Sequence, residues 1–223
     1  MNAINYFTPL EYSPLKLLNK HRKVDSILDL LSGRRIFDPL WPISVEIHLT
    51  NRCNLNCYWC TDKHLKKNRA YLDIKVVKDL FREVKNHDVG VTLEGGGEPT
   101  LHKDFSEIVH YAADISLDIG LITNGTKDIR DLVNYFKWIR ISMDATNPEE
   151  YRYEKKSECF NDVIANIQKM NAVRNPSRTL LGVGYVITKN NDKNLLSFFE
   201  SLDEICIDYI YMRPVEESED SLP

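Results

Sequence analysis

The chain has 223 residues, 43% hydrophobic and 28% charged, which is enough to enclose a core. A formal net charge of -4 provides no overall basic field, so general nucleic-acid binding through phosphate neutralisation is not expected. No stretch approaches the ~20 apolar residues of a membrane span, and the amino terminus MNAINYFTPLEY lacks the charged start and apolar core of a secretion signal, which together predict a cytoplasmic protein with no membrane partner.

In chain order, residues 1–42 form an amino-terminal extension with one helical stretch, Lys23 to Leu31, stopped at Gly33 and followed by the PLWP turn of Pro39 to Pro42. From Ile43 onward, short β-rich runs alternate with amphipathic helical stretches. The strands are expected at 43–50, from Val91, from Ile119, from Trp138, from Leu180 and from Asp208. Helices are expected to begin near Leu72, Lys103, Asp128, Phe160 and Asp192, several of them opened by capping residues such as Asp73, Asp128 and Asn161. Such repetition predicts an α/β fold of parallel strands. At roughly 30 residues per unit, six units fit after Pro42 and eight do not, so the expected architecture is a partial (βα)6 barrel spanning 43–213. Residues 214–223 are acidic and read as a tail or as a truncation point.

Strand patterning adds a first statement about function. Val45, Ile47 and Leu49 alternate with Glu46, His48 and Thr50, and Ile139, Ile141 and Met143 alternate with Arg140, Ser142 and Asp144. Helices must cover the apolar face, so the polar face turns inward and implies a wet lumen with a substrate at the carboxyl ends of the strands. Glu46, His48 and Glu94 are expected to face that lumen.

Directly after the first strand comes TNRCNLNCYWC, with Cys53, Cys57 and Cys60 in one short loop. Three of five cysteines crowded together suit a metal site in a reducing compartment better than a disulfide framework. Thiolates ligate iron–sulfur clusters or zinc, and three of them leave one position open. Structural zinc in a scaffold protein, with His64 as the nearest fourth ligand, and three unliganded thiols are the other readings of the same spacing. Cys159 and Cys206 are expected to be buried small hydrophobes.

The CxxxCxxC loop, with Trp59 before its third cysteine, resembles the signature of the radical S-adenosylmethionine (SAM) superfamily. A second element, Gly95, Gly96, Gly97, Glu98, Pro99 and Thr100 after the second strand, is similar to that family's GGEP motif. The resemblance covers about Ile43 to Arg213. It implies a [4Fe-4S] cluster on Cys53, Cys57 and Cys60 whose open iron chelates SAM, reductive cleavage of the cofactor to a 5'-deoxyadenosyl radical, and hydrogen abstraction from an organic substrate. It further implies cofactor contacts from Trp59, Gly96, Gly97, Glu98, Asn124 of the TNG turn, Ser142 and Asp144 of ISMDA, and Arg213. Gly182, Gly184 and Tyr211 fall where the family packs adenine. A reducing partner such as flavodoxin or ferredoxin is implied as well, and Lys63, Lys66, Lys67 and Arg69 are positioned to receive it or to form only a solvated face. The polar lumen favours a small polar metabolite, a sugar or nucleotide derivative, as substrate, with a peptide as the alternative. His102 reads as a cap, and the extra glycine at Gly95 reads as tolerated excess over the family motif.

Overall fold

The computed structural model describes residues 24–25, 28–29, 31–34, 41–65, 69–202 and 205–215. Within them six strands form one parallel sheet in sequence order: β1 (Ser44–His48), β2 (Gly90–Glu94), β3 (Ile119–Thr123), β4 (Trp138–Ser142), β5 (Leu180–Ile187) and β6 (Tyr209–Pro214). Every adjacent pair is parallel, which requires a crossover after each strand. Those crossovers are built on α1 (Ile74–Asn86), α2 (Phe105–Asp114), a 3-10 helix (Arg130–Tyr135), α3 (Pro148–Lys155), α4 (Phe160–Val173) and α5 (Leu195–Leu202). The partial (βα)6 architecture expected from the alternation is present.

Local chemistry explains the element boundaries. Asp73 caps α1 by accepting from the Lys75 N–H at 2.7 Å, and Val77, Phe81 and Val84 recur at helical spacing on its buried face. In α4, Phe160, Val163, Ile167 and Met170 make the corresponding stripe. These helices cover the outward row of the sheet, where Leu49, Leu93, Leu121, Ile139, Ile141, Leu181 and Val183 are all fully buried. Each such side chain contributes about 1.5–3 kcal/mol through burial, so the apolar row fixes the register of the whole sheet.

Four local expectations are corrected. The segment opened by Asp128 is a six-residue 3-10 helix, not an α-helix, because the run before β4 is too short for more than two turns. Asn161 lies inside α4, whose cap is Cys159. Cys206 is exposed at a left-handed turn position (φ 48°) and is no core residue, whereas Cys159 is half-buried against the core. Finally, α3 was not anticipated from periodicity. It is set by the Asn147–Pro148–Glu149–Glu150 start, where the Asn147 side chain accepts from the Glu149 and Glu150 N–H groups at 3.1 and 3.0 Å.

Val24, Asp25, Leu28, Asp29 and Leu31 are helical, as the amino-terminal pattern predicts, while Lys23, Pro39, Leu40, Lys66, Lys67 and the tail from 216 lie outside the described residues. No described helix is long and apolar enough to cross a membrane.

Candidate active site at the strand carboxyl ends

All six strands contribute to one cavity of about 500 Å³, from Glu46 and His48 on β1 to Tyr211 and Arg213 on β6, so the sheet is rolled about a lumen. The residues implied as cluster ligands or direct cofactor contacts line it, namely Cys53, Cys57, Cys60, Trp59, Gly96, Gly97, Glu98, Asn124, Ser142, Asp144 and Arg213, as do Gly184 and Tyr211 of the adenine positions, whereas Gly182 does not and packs against the Tyr209 ring instead. A wider trough of about 790 Å³ runs along the outside of α3 past Arg152, Tyr153, Lys156 and Glu158, and contains none of them.

The cysteine loop is held from three sides. At its start, the Glu98 N–H donates to the Arg52 carbonyl at 2.7 Å, and a Cβ on Gly97 would stand 2.4 Å from that same oxygen. Only glycine permits this approach. From the β3 end, Asn124 Nδ2 donates to Asn54 Oδ1 and Asn54 Nδ2 to Thr126 Oγ1, both at 2.8 Å. From the third side, the carbonyls at the end of α3 accept from the loop, Lys155 from Asn56 N–H (3.3 Å) and Glu154 from Tyr58 N–H (3.2 Å).

The glycine run is fixed from beneath by Glu98. This carboxylate is buried; Oε1 accepts from Thr123 Oγ1 (2.6 Å), Thr100 Oγ1 (2.7 Å) and Thr100 N–H (3.1 Å), and Oε2 accepts from Asn124 N–H (2.7 Å). Burial still outweighs those donors and raises its pKa. Its side chain therefore clamps the ends of β2 and β3 together. Gly95 is required rather than spare: its φ is +138°, and a Cβ there would meet the His48 ring at 2.4 Å. His48 Nδ1 in turn accepts from the Gly96 N–H at 3.3 Å. His102 is buried and binds Leu72 O and Asp104 N–H through its two ring nitrogens, a purely structural linker.

Opposite the glycines stands an ion pair that sequence patterning half revealed. Asp144, expected at the end of β4, is fully buried with a left-handed backbone (φ 57°). Its Oδ1 accepts from the Val186 N–H at 2.6 Å, and its Oδ2 receives the Ser142 hydroxyl at 2.9 Å and the Lys155 ammonium. Lys155 is the site residue that the sequence reading missed. It is 1% exposed, donates also to Ser142 Oγ at 2.9 Å, and lies 5.0 Å from the centroid of the Trp59 ring. Burial alone would lower its pKa, but Asp144 and Cys57 reverse the sign and keep it charged. The NPEE helix start was the available signal, since a helix of eight residues from Pro148 delivers position 155 back to the strand ends.

The three thiols share this environment. Burial pushes the Cys57 thiol up, and Lys155 opposes it. Among the described residues no three ligands are gathered tightly enough for a single ion. Three thiols that line one cavity can each bind one iron of a cluster. Among the described residues the buried Trp59 Nε1 has no hydrogen-bond partner, and it lines the same cavity as the thiols.

A family model described as the Radical SAM superfamily matches residues 47–202, most of the chain. The chain belongs to the radical SAM superfamily. Among the curated relatives of this radical SAM chain, a probable GTP 3',8-cyclase of Methanocaldococcus jannaschii is 31% identical over 169 residues, covering 73% of this chain and 55% of the relative. The mycofactocin maturase MftC of Mycolicibacterium smegmatis is 26% identical over 162 residues, covering 70% and 41%. The chain thus spans about half the length of the curated relatives it matches. Among solved structures, Streptococcus suis SuiB bound to its precursor peptide SuiA superposes with a TM-score of 0.70 at 17% identity, over 97% of this chain and 48% of that one, and anSMEcpe with bound AdoMet superposes with 0.65 at 18%, over 78% and 52%. At such identities the likeness establishes the radical SAM fold.

One buried carboxylate near the loop gives a pH test of the apo chain. Glu154 accepts from Thr188 Oγ1 at 3.0 Å through Oε1, while Oε2 is buried without a partner among the described residues, and burial raises its pKa to about 7. The folded state therefore holds a proton that the unfolded chain releases near pH 4.5, so stability falls as pH rises from about 4.5 to about 7. Glu154→Gln is expected to stabilise the apo chain by about 1–3 kcal/mol near pH 8 and to be neutral near pH 5. Urea unfolding at the two pH values measures this; equal effects at both would refute the assignment.

Proposed function

We propose that this chain reductively cleaves SAM at a [4Fe-4S] cluster held by Cys53, Cys57 and Cys60, and that the resulting radical abstracts hydrogen from an organic substrate in the lumen. The observation that carries this reading is the convergence on one cavity of three thiols, a glycine cradle and a buried, oriented ammonium. When bound, the cluster and SAM supply an electron and a 5'-deoxyadenosyl radical.

The remaining work belongs to side chains of this chain. The Lys155 ammonium, held by Asp144 and by Ser142 Oγ, whose own proton goes to Asp144, offers N–H donors to a carboxylate. Such donors are already oriented before binding, so no rearrangement is needed when the cofactor arrives. Gly96 and Gly97 allow the cofactor's amino group to reach backbone carbonyls, while Glu98 keeps that backbone in place. Trp59, Asn124 and Arg213 complete the contacts. The walls of the rolled sheet keep the radical beside its substrate and away from other hydrogen donors.

A small polar metabolite is the favoured substrate, because the lumen lining is polar and its volume is small; a peptide residue threaded into the lumen is the second reading, supported by the peptide-bound SuiB neighbour. The domain responsible is 43–213, working in the cytoplasm with a flavodoxin or ferredoxin as reductant; Lys63, which donates to the Tyr58 carbonyl, belongs to the loop surface such a donor would meet.

Anaerobic reconstitution of the wild-type chain with iron and sulfide tests the reading. A broad brown absorption, about four irons per chain and 5'-deoxyadenosine after reduction with SAM are expected. A colourless chain that retains one zinc would overturn it.

A further inference from the structure

Below the cradle, Arg140 carries a charge that none of the cofactor contacts above uses. Arg140 precedes Ser142 by two residues on β4 and so lies roughly 7 Å deeper on the same inward face. Its guanidinium carbon sits 4.1 Å from the centroid of the Tyr211 ring on β6 and 5.9 Å from that of Trp138 on its own strand. Two aromatic rings thus fix the plane of a half-buried cation. Among the described residues the guanidinium forms no ion pair and donates no hydrogen bond, although Glu94 and Arg213 are both near enough to act on it electrostatically.

A guanidinium presents five N–H donors, and leaving them unanswered in a half-buried site is costly. Arg213 adds a second positive charge beside it, which raises that cost further. Across the lumen stand Glu46 and Glu94; burial, with the neighbouring Glu46 carboxyl, raises the pKa of Glu94 to about 7. The arrangement is asymmetric: Arg140 on β4, with Arg213 beside it on β6, faces Glu46 and Glu94 on β1 and β2.

We propose that Arg140, stiffened by Tyr211, is the oxyanion subsite for the substrate. It takes a phosphate or carboxylate of a small anionic molecule, while Glu46 and Glu94 opposite bind that molecule's hydrogen-bond donors. The planar fork of arginine fits either oxyanion in a bidentate manner. The cavity of about 500 Å³ is shared with the cofactor and leaves room for a small molecule only. This inference rests on the reading of the lumen as the substrate chamber of a SAM-cleaving enzyme, and it specifies which end of the substrate sits deepest.

The test uses the full chain labelled with 15N-arginine, in which the Arg140 Nε–H resonance is identified by its loss in Arg140→Lys and by its displacement in Tyr211→Leu. Glycerol 2-phosphate and propionate are the probes, with sodium chloride at matched ionic strength as the control. A saturable shift of the Arg140 resonance with either probe supports the subsite, and the probe that acts distinguishes a phosphate from a carboxylate substrate. In Arg140→Lys, half-saturation of the Arg213 resonance is expected to need about tenfold more probe, since lysine keeps the charge and loses the fork. Should that variant not fold, Tyr211→Leu, which retains the charge and removes the stacking ring, is expected to weaken binding as well. An Arg140 resonance that moves no more with either probe than with chloride overturns the proposal. Because the titration needs neither iron nor SAM, its failure is separate from a failure of cluster assembly or cofactor cleavage in the wild-type chain.

Discussion

Cys57→Ala, reconstituted in parallel with the wild-type chain, is expected to fold but to hold no stable cluster, with 5'-deoxyadenosine formation reduced by at least about 100-fold, beyond what loss of an outer-shell partner costs. The fold survives because the loop is anchored by groups other than its thiols: the Arg52, Glu154 and Lys155 carbonyls and the Asn54–Asn124 and Asn54–Thr126 bonds remain. The chemistry does not survive. Two thiolates cannot retain three irons of a cluster, and Cys57 is also the thiol whose ionisation Lys155 favours against the effect of burial. Iron content and circular dichroism of the variant measure the two halves of the expectation. Undiminished cofactor cleavage by Cys57→Ala would remove the cluster assignment.

The second large effect concerns Asp144 and Lys155, at 0% and 1% side-chain exposure. Asp144→Asn preserves an acceptor for the Val186 N–H and tolerates the left-handed backbone, so it isolates the loss of charge. It leaves Lys155 charged, buried and unpaired, which is expected to destabilise the apo chain by about 3–5 kcal/mol in urea unfolding. Lys155→Met strands Asp144 in the same way and is expected to cost a similar amount. Combining the two removes both charges, so the double variant should be more stable than the sum of the single losses indicates. Affinity for SAM provides the functional readout: it should fall in Lys155→Met and stay low in the double variant even where stability recovers. A strictly additive cycle would mean that the two side chains do not form a coupled pair.

Much of this was legible in the sequence because it depended on short-range order. The alternation of Val45, Ile47 and Leu49 with Glu46 and His48 has period two and needs no tertiary information to assign a polar inner face. Asp73 opens α1 by a local hydrogen bond to Lys75, and the stripe of α4 repeats at helical spacing. The cysteine and glycine motifs are likewise contiguous. The errors came where order is weak or remote: the 3-10 helix at Arg130–Tyr135 carries the same apolar spacing as a short α-helix, and α3 is too short and too polar to display a stripe. Glu98 illustrates a subtler case, for its place in a motif says that it matters but not that its carboxylate clamps β2 to β3.

By itself the sequence determined the (βα)6 order, the inward polar face and the three cysteines at the first strand's carboxyl end, since each is a statement about neighbours along the chain. Only the tertiary structure brought Lys155 to Asp144, eleven residues apart, and Arg140 to Tyr211 across β5, with both groups opening on the cavity that holds the thiols. The physical reason is that an unpaired buried charge is costly and its partner is chosen by packing of the rolled sheet, a long-range constraint that leaves no periodic trace in the chain.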